Sequence, residues 1–203
     1  MLLRHAIGMF TNPDAEWDNI RDKKYSPAQV YITYVGLLAL ITPICAFIST
    51  TMYGWEVTEG RVIKLTVSSS LQLNILTYGA MLFGVFALGW MIDWMAQTYG
   101  GDKEENQSQG IALTAYACTP LFLAGFALLY PVPWVNMLVY LIAAGYSGYL
   151  IYRGILVLMG IDPDRAVMFG GAILTVALVM LVSTRVGSVI IWGLGVGPEY
   201  VTG

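Results

Sequence analysis

The chain has 203 residues, of which 57% are hydrophobic and 11% are charged. Because a soluble domain carries about 25% charged residues, this composition and a mean hydropathy of +0.67 exclude a soluble globular protein and indicate a polytopic membrane protein. The net charge of −3 and the lack of a basic stripe interleaved with aromatic residues argue against a nucleic-acid partner.

Residues 1–26 form a short arm ahead of the first apolar run. The arm opens with apolar residues spaced for one side of a short amphipathic turn: Leu2, Leu3, Ile7 and Phe10. Asn12 and Pro13 are typical of a helix start, and Trp17 and Ile20 share one face of the second predicted helix. We expect the arm to lie on the cytoplasmic surface of the membrane; docking on the helix bundle and disorder are the alternatives.

Residues 27–203 contain five runs that are apolar enough to cross a bilayer, which requires about 20 residues. We therefore predict an all-α fold, a bundle of five transmembrane helices with spans near residues 30–53, 69–97, 110–130, 134–159 and 167–193. Proline occupies the first helical position at Pro27 and at Pro163, a local signal for a helix start. The polar segment 100–110 is predicted to be a solvated connector between the second and third spans.

Basic residues predict the orientation, since cytoplasmic loops carry an excess of Lys and Arg. Seven of them fall on the side of the N-terminus: Arg4, Arg21, Lys23, Lys24, Lys103, Arg153 and Arg165. Arg61 and Lys64 fall on the other side, and Arg185 is ambiguous. We predict a cytoplasmic N-terminus and a C-terminus on the opposite side of the membrane.

Two prolines interrupt predicted spans, Pro43 in the first and Pro120 in the third. Each frees the carbonyl four residues earlier, here that of Ala39 or Tyr116, and hydrocarbon offers no water to satisfy it. Polar groups crowd beside Pro120 and are available for this purpose: Thr114, Tyr116, Cys118 and Thr119. We predict the two kinks at comparable depth, where they form a hinge or a small polar cavity, or only shape the bundle.

Asp93 is the only clear carboxylate inside a predicted span, and an ionisable residue in a span is a functional candidate by default. It lies between Trp90 and Trp94 near the inner end of the second span. We predict that Asp93 is ionised and paired with Arg153, which lies at similar depth on the fourth span. A proton or ion relay is the alternative.

Small residues recur along the second and fourth spans, where they let helix backbones approach closely. The residues predicted to form such a face are Gly79, Gly84, Ala144 and Gly148. The face serves either packing within the bundle or a homo-oligomer contact.

The sequence lacks the common motifs of catalysis and metal binding: it has no H-E-x-x-H, no C-x-x-C and no Walker-type glycine loop. Its single histidine, His5, precedes the spans, and Asp93 has no second intramembrane carboxylate to act with. Cys45 and Cys118 lie in apolar runs, as small buried hydrophobic residues do. We therefore expect no enzyme, no cofactor and no metal site.

The arm and the third span together resemble the Yip family, the Ypt-interacting-protein family of integral membrane proteins, and in particular its compact bacterial inner-membrane members. The most specific parts are two motifs, N-P-x-x-x-W and A-Y-x-x-x-P-L, carried by Asn12, Pro13, Trp17, Ala115, Tyr116, Pro120 and Leu121. The resemblance covers nearly the whole chain. It implies a five-span fold in the inner membrane, with the N-terminus in the cytoplasm and the C-terminus on the periplasmic side.

Eukaryotic members of the family are linked to Rab-type GTPases, vesicle trafficking and membrane shaping, and they carry a long cytoplasmic N-terminal region. Here only residues 1–26 precede the first span, which puts GTPase binding in doubt. The leading hypothesis is a non-enzymatic protein that acts through helix association and through contacts with membrane lipids, with itself or with another membrane protein. Its rival is a small-solute, ion or lipid transporter or channel that uses the kinks at Pro43 and Pro120 and the carboxylate of Asp93.

Overall fold

The computed structural model describes residues 2–23, 26–58, 61–99 and 109–201. Five helices in these ranges are long and apolar enough to cross a membrane: Pro27–Tyr53, Val67–Ala96, Gln109–Leu129, Pro133–Val157 and Pro163–Gly193. We call them the first to fifth spans. They confirm the predicted five-helix membrane fold. Lys24 and most of the predicted connector 100–110, including Lys103, lie outside the described residues.

The arm consists of two helices, α1 (Leu2–Thr11) and α2 (Pro13–Lys23). Asn12 joins them, and its side-chain oxygen accepts a hydrogen bond from the Ala15 N–H at 3.3 Å, as expected of a residue that caps a helix start. The arm packs against the third and fourth spans. We call this end of the bundle the arm end.

The opposite end carries a short β-hairpin, β1 (Trp55–Thr58) and β2 (Arg61–Ile63), and we call it the hairpin end. Gly54 precedes the hairpin at φ +71°, a backbone conformation that favours glycine. After the fifth span the chain returns here, where Tyr200 forms a β-bridge with Leu65. This small element is the departure from the predicted all-helical fold.

The first and third spans are irregular, as their prolines predict. The first span contains π-helical turns at Tyr31–Val35 and Ser49–Tyr53, with Pro43 in the first turn of the α-helical piece Ile41–Ile48. The third span is broken at Cys118, just before Pro120, and ends in a 3₁₀ segment, Ala124–Leu129. Both prolines therefore lie near the start of a new helical piece, where a missing N–H costs least.

The third span lies at the centre of the bundle. In its most apolar stretch, 56% of the residues are buried within the protein, whereas the value is 22% for the corresponding stretch of the second, fourth or fifth span. Close approach to its neighbours depends on glycines. A Cβ on Gly89 of the second span would lie 2.7 Å from the Ile111 Cα, and a Cβ on Gly125 would lie 2.8 Å from the Thr42 Cα of the first span.

The predicted small-residue face is not what packs the bundle. A Cβ on Gly79 or Gly84 would meet no atom within 4 Å, and one on Gly148 would make only an ordinary contact at 3.6 Å with Leu174. Ala144 is exposed. The sequence pattern correctly indicated small residues on the second and fourth spans. The close contacts, however, are made by Gly89 of the second span, Gly154 of the fourth span and Gly125 of the third span.

Candidate functional site at the arm end

Tyr116 is the centre of a buried aromatic cluster that joins the arm to the bundle. Its ring centroid lies 4.5 Å from that of Tyr34, 5.5 Å from that of His5 and 6.4 Å from that of Trp17, which it meets edge-on. Tyr34 comes from the first span, and His5 and Trp17 come from α1 and α2. All four residues are buried. The arm motif and the third-span motif that are far apart in sequence therefore meet in one site.

Thr119 satisfies the carbonyl that Pro120 frees. Its hydroxyl donates to the Tyr116 carbonyl at 2.6 Å, and the Tyr34 hydroxyl lies 2.7 Å from the Thr119 Oγ1. Because the single Thr119 hydrogen is used on the carbonyl, Tyr34 is the donor in the second bond. Thr114 serves its own helix and donates to the Gly110 carbonyl at 2.9 Å. Thr119 is one of the residues predicted from the sequence to satisfy this carbonyl, whereas Tyr34 was not predicted.

Pro43 lies away from this cluster. Its neighbour Thr42 packs on Gly125, five residues beyond Pro120 along the third span. The two kinked helices therefore cross on the hairpin side of the Tyr34–Thr119 bond, and the structure does not bring Pro43 together with Thr114, Tyr116 and Thr119.

The arm carries a buried acid–base pair into the site. The Nδ1 atom of His5 on α1 contacts the Oε1 atom of Glu16 on α2, and both residues are less than a tenth exposed. Gly8 lies against the Glu16 carboxylate, where a Cβ would collide with it. Sequence reasoning set His5 aside because it precedes the spans. The available signal was a histidine and a glutamate on otherwise apolar helix faces.

Three polar contacts fasten the arm to the fourth span. The Arg153 guanidinium pairs with both carboxylate oxygens of Asp14, with both nitrogen–oxygen distances at 2.6 Å. The Tyr146 hydroxyl donates to the Met9 carbonyl at 2.8 Å, and Arg21 donates to the Val157 carbonyl at 3.2 Å.

The predicted pairing of Asp93 with Arg153 is therefore wrong about the partner. Arg153 reaches outward to α2 and Asp14. Asp93 instead accepts a hydrogen bond from the Gly110 N–H at 2.7 Å. Gly110 lies in the first turn of the third span, where a carboxylate complements the free N–H groups and the positive end of the helix dipole. The second and third spans thus meet at a charged helix cap.

The chemistry available to this site is hydrogen bonding, proton binding and aromatic packing. Within the described ranges no three His, Cys, Asp or Glu side chains lie close enough together to hold a metal ion. His5 and Glu16, the buried base and acid of the site, both belong to the arm. The site therefore joins the arm to the kinked third span.

Comparisons with known proteins show which family the sequence matches and which proteins it is similar to. Residues 7–184 match the family described as the Yip1 domain. The chain is also similar to Inner membrane protein YohC of Escherichia coli strain K12 and to the protein of the same name from Escherichia coli O6:H1. Each is 36% identical over 193 residues, which cover 95% of this chain and 98% of the relative. No solved structure matches the chain.

The family match includes both motifs that meet at Tyr116, the arm motif and the third-span motif. The chain belongs to the Yip1 domain family of membrane proteins.

Proposed function

We propose that this is a non-enzymatic inner-membrane protein that works through contacts within the bilayer, with lipids and with a second copy of itself. The observation that supports the proposal is the open face of the second span. A Cβ added to Gly79 or Gly84 on this face would meet no atom within 4 Å. Glycine in a helix interior costs about 1 kcal/mol relative to alanine. A close backbone approach by another helix offsets that cost, and the monomer itself provides none at these positions.

Association in lipid nanodiscs or proteoliposomes tests the proposal. Gly84→Leu is expected to lower the dimer fraction, measured by single-molecule photobleaching at matched protein-to-lipid ratios. It should not lower the thermal midpoint of the monomer, because a Cβ there would meet no atom of its own chain within 4 Å. Gly171→Leu is the matched control, since Gly171 is an open glycine on the fifth span that lacks a second open glycine one or two turns away, unlike Gly79 and Gly84. A strictly monomeric wild-type protein, or equal effects of the two variants, would overturn the proposal.

We also propose that the N-terminus is cytoplasmic and the C-terminus periplasmic. The described basic residues at the arm end outnumber those near the hairpin: Arg4, Arg21, Lys23, Arg153 and Arg165 against Arg61 and Lys64. An excess of Lys and Arg marks the cytoplasmic side.

Transport of a small solute, an ion or lipid is the second candidate function. It draws on the hydroxyls of Tyr34, Thr114 and Thr119, which are buried at depth between the two kinked spans. The hydrogen bonds of these hydroxyls are internal to the protein, which favours the contact-based role. Proton and cation flux into liposomes distinguishes the two. Loss of such a flux in an Asp93→Asn variant that folds normally would support transport.

A further inference from the structure

We propose that α1 is recessed into the bilayer and that its outward stripe, Leu3, Ile7 and Phe10, contacts the acyl chains of the arm-end leaflet. The partner of this surface is lipid hydrocarbon. The inference does not depend on whether the protein dimerises or transports a solute.

The helix α1 is apolar on two sides. His5, Ala6 and Met9 face the bundle and are at most 5% exposed. Leu3, Ile7 and Phe10 are 71%, 60% and 47% exposed. Their spacing places them on one outward stripe, since residues three and four apart are neighbours on a helix. Large side chains in such a stripe need an apolar environment, which the protein does not supply.

The contacts of α1 with the fourth span show how far α1 lies from the arm-end terminus of that helix. The Met9 carbonyl accepts a hydrogen bond from Tyr146, and the Phe10 ring stacks on Tyr146 with centroids 5.4 Å apart. Tyr146 lies 11 residues before Val157, the arm-end terminus of that helix. At about 1.5 Å per residue this is ~16 Å along the helix axis.

The third span gives an independent measure of the same depth. The His5 ring lies 5.5 Å from Tyr116, which comes seven residues after Gln109, the first residue of that span. This corresponds to about 10 Å below the helix end. Two spans therefore agree that α1 lies well inside the bundle ends. Helices at the membrane interface bury their apolar faces about 5–10 Å into the boundary between headgroups and acyl chains.

The distribution of charge marks where the arm leaves the hydrocarbon. The second half of α2 carries exposed charged residues: Asp18, Arg21, Asp22 and Lys23. This half begins after the Asp14–Arg153 ion pair and reaches the last turn of the fourth span, where Arg21 binds the Val157 carbonyl. The outward side of α1 has a single charge, Arg4, near its start. Water therefore borders the second half of α2, and lipid borders α1.

Site-directed spin labelling tests the depth. Single cysteines replace Ile7, Asp22 and Val179 in a Cys45→Ala/Cys118→Ala background, reconstituted in phosphatidylcholine–phosphatidylglycerol nanodiscs. Val179 is 59% exposed in the middle of the fifth span and serves as the bilayer reference. The Ile7 label should resemble the Val179 label, with greater access to oxygen than to a water-soluble nickel complex. The Asp22 label should show the reverse.

An Ile7 label that resembles the Asp22 label would overturn the proposal, because α1 would then face water. An Ile7 label shielded from both relaxants would also overturn it, because protein would then cover the stripe. Cys45 is buried, so a second measurement uses the unaltered chain. Phosphatidylcholine with a photoreactive acyl chain should modify the peptide that contains residues 3–10 and leave residues 18–23 unmodified; absence of that adduct would contradict the proposal.

Discussion

At the scale of single residues, the His5–Glu16 pair is the most demanding feature of the arm. Two ionisable groups are buried together between α1 and α2, and the Glu16 carboxylate contacts the His5 ring. Removing one member of such a pair takes a buried hydrogen bond from the other, which is destabilising. The pair therefore makes burial of the arm conditional on α1 and α2 packing in this register.

Glu16→Gln is expected to destabilise the protein by about 1–3 kcal/mol, because the amide keeps an acceptor for His5 but weakens a buried hydrogen bond. The measurement is reversible thermal or denaturant unfolding in nanodiscs. Asp18→Asn is the control on the same helix, because Asp18 is exposed and its bond to Arg21 lies at the surface, where such pairs contribute little. Equal effects of the two substitutions would show that the buried pair carries no special weight.

Thr119→Val should destabilise the third span by about 1–3 kcal/mol, because it leaves the Tyr116 carbonyl and the Tyr34 hydroxyl without the partner that both share. The same measurement applies. Thr184→Val on the fifth span removes an exposed hydroxyl that bonds only to the Met180 carbonyl of its own helix. If the two variants unfold alike, the hydroxyl at the kink contributes no more than an ordinary helix hydroxyl.

At the scale of elements, the sequence predicted the spans and the helices of the arm, but not the contacts of the arm. Each observed span begins or ends within four residues of its predicted bound, because length, apolar content and proline at a helix start are local properties. The position of the arm at the cytoplasmic membrane surface stays a prediction, whereas the structure shows that α1 and α2 dock on the third and fourth spans. That outcome was one of the alternatives left open.

The contacts of the arm could not be predicted because they join residues that are far apart in the sequence. Asp14 is 139 positions from Arg153, and His5 reaches Tyr116 only because α1 folds back over the third span. Periodicity cannot reveal such pairings. It also cannot tell which glycines face a neighbour: Gly84 and Gly89 lie on the same helix, yet only Gly89 approaches another backbone.

Gly154→Leu is expected to displace the arm. A Cβ at Gly154 would collide with the Leu113 side chain of the third span and would lie 3.0 Å from the Trp17 ring, so a larger side chain has no room while α2 is docked. Hydrogen exchange of the amides in residues 13–23 should become at least tenfold faster. Gly145→Leu on the same span is the control, because a Cβ there meets nothing within 4 Å. Unchanged exchange in the Gly154 variant would mean that the arm tolerates repacking at this contact.

At the scale of the whole molecule, the fold is a bundle with two different ends. One end is closed by the arm and its buried polar site, and the other by the hairpin and the returning C-terminal segment. The third span connects them, since it carries Tyr116 near the arm and Gly125 against the first span towards the hairpin. The most buried helix of the bundle therefore contacts elements at both ends of the molecule.

The topology prediction belongs to this scale. Cysteines placed after residues 24 and 104 should be protected from a membrane-impermeant maleimide in intact cells, whereas cysteines after residues 60 and 201 should react. The reason is the excess of basic residues on the arm side. Labelling after membrane disruption is the control for reactivity. A protected C-terminal position would contradict the predicted orientation, because five spans place the two ends of the chain on opposite sides.

The closure at the hairpin end sets an order for biosynthesis. Backbone N–H groups of Thr66 and Val201 bond to the Glu199 and Lys64 carbonyls, each at 2.9 Å, and the Ser69 hydroxyl donates to the Gly197 carbonyl at 2.9 Å. Residues 197–201 leave the ribosome only after all five spans, whereas the arm emerges first and finds its partners once the fourth span is inserted. The two ends of the molecule therefore mature at different times, and the Lys64 carbonyl and the Thr66 N–H, which precede the second span, wait for their partners until residues 199–201 are translated.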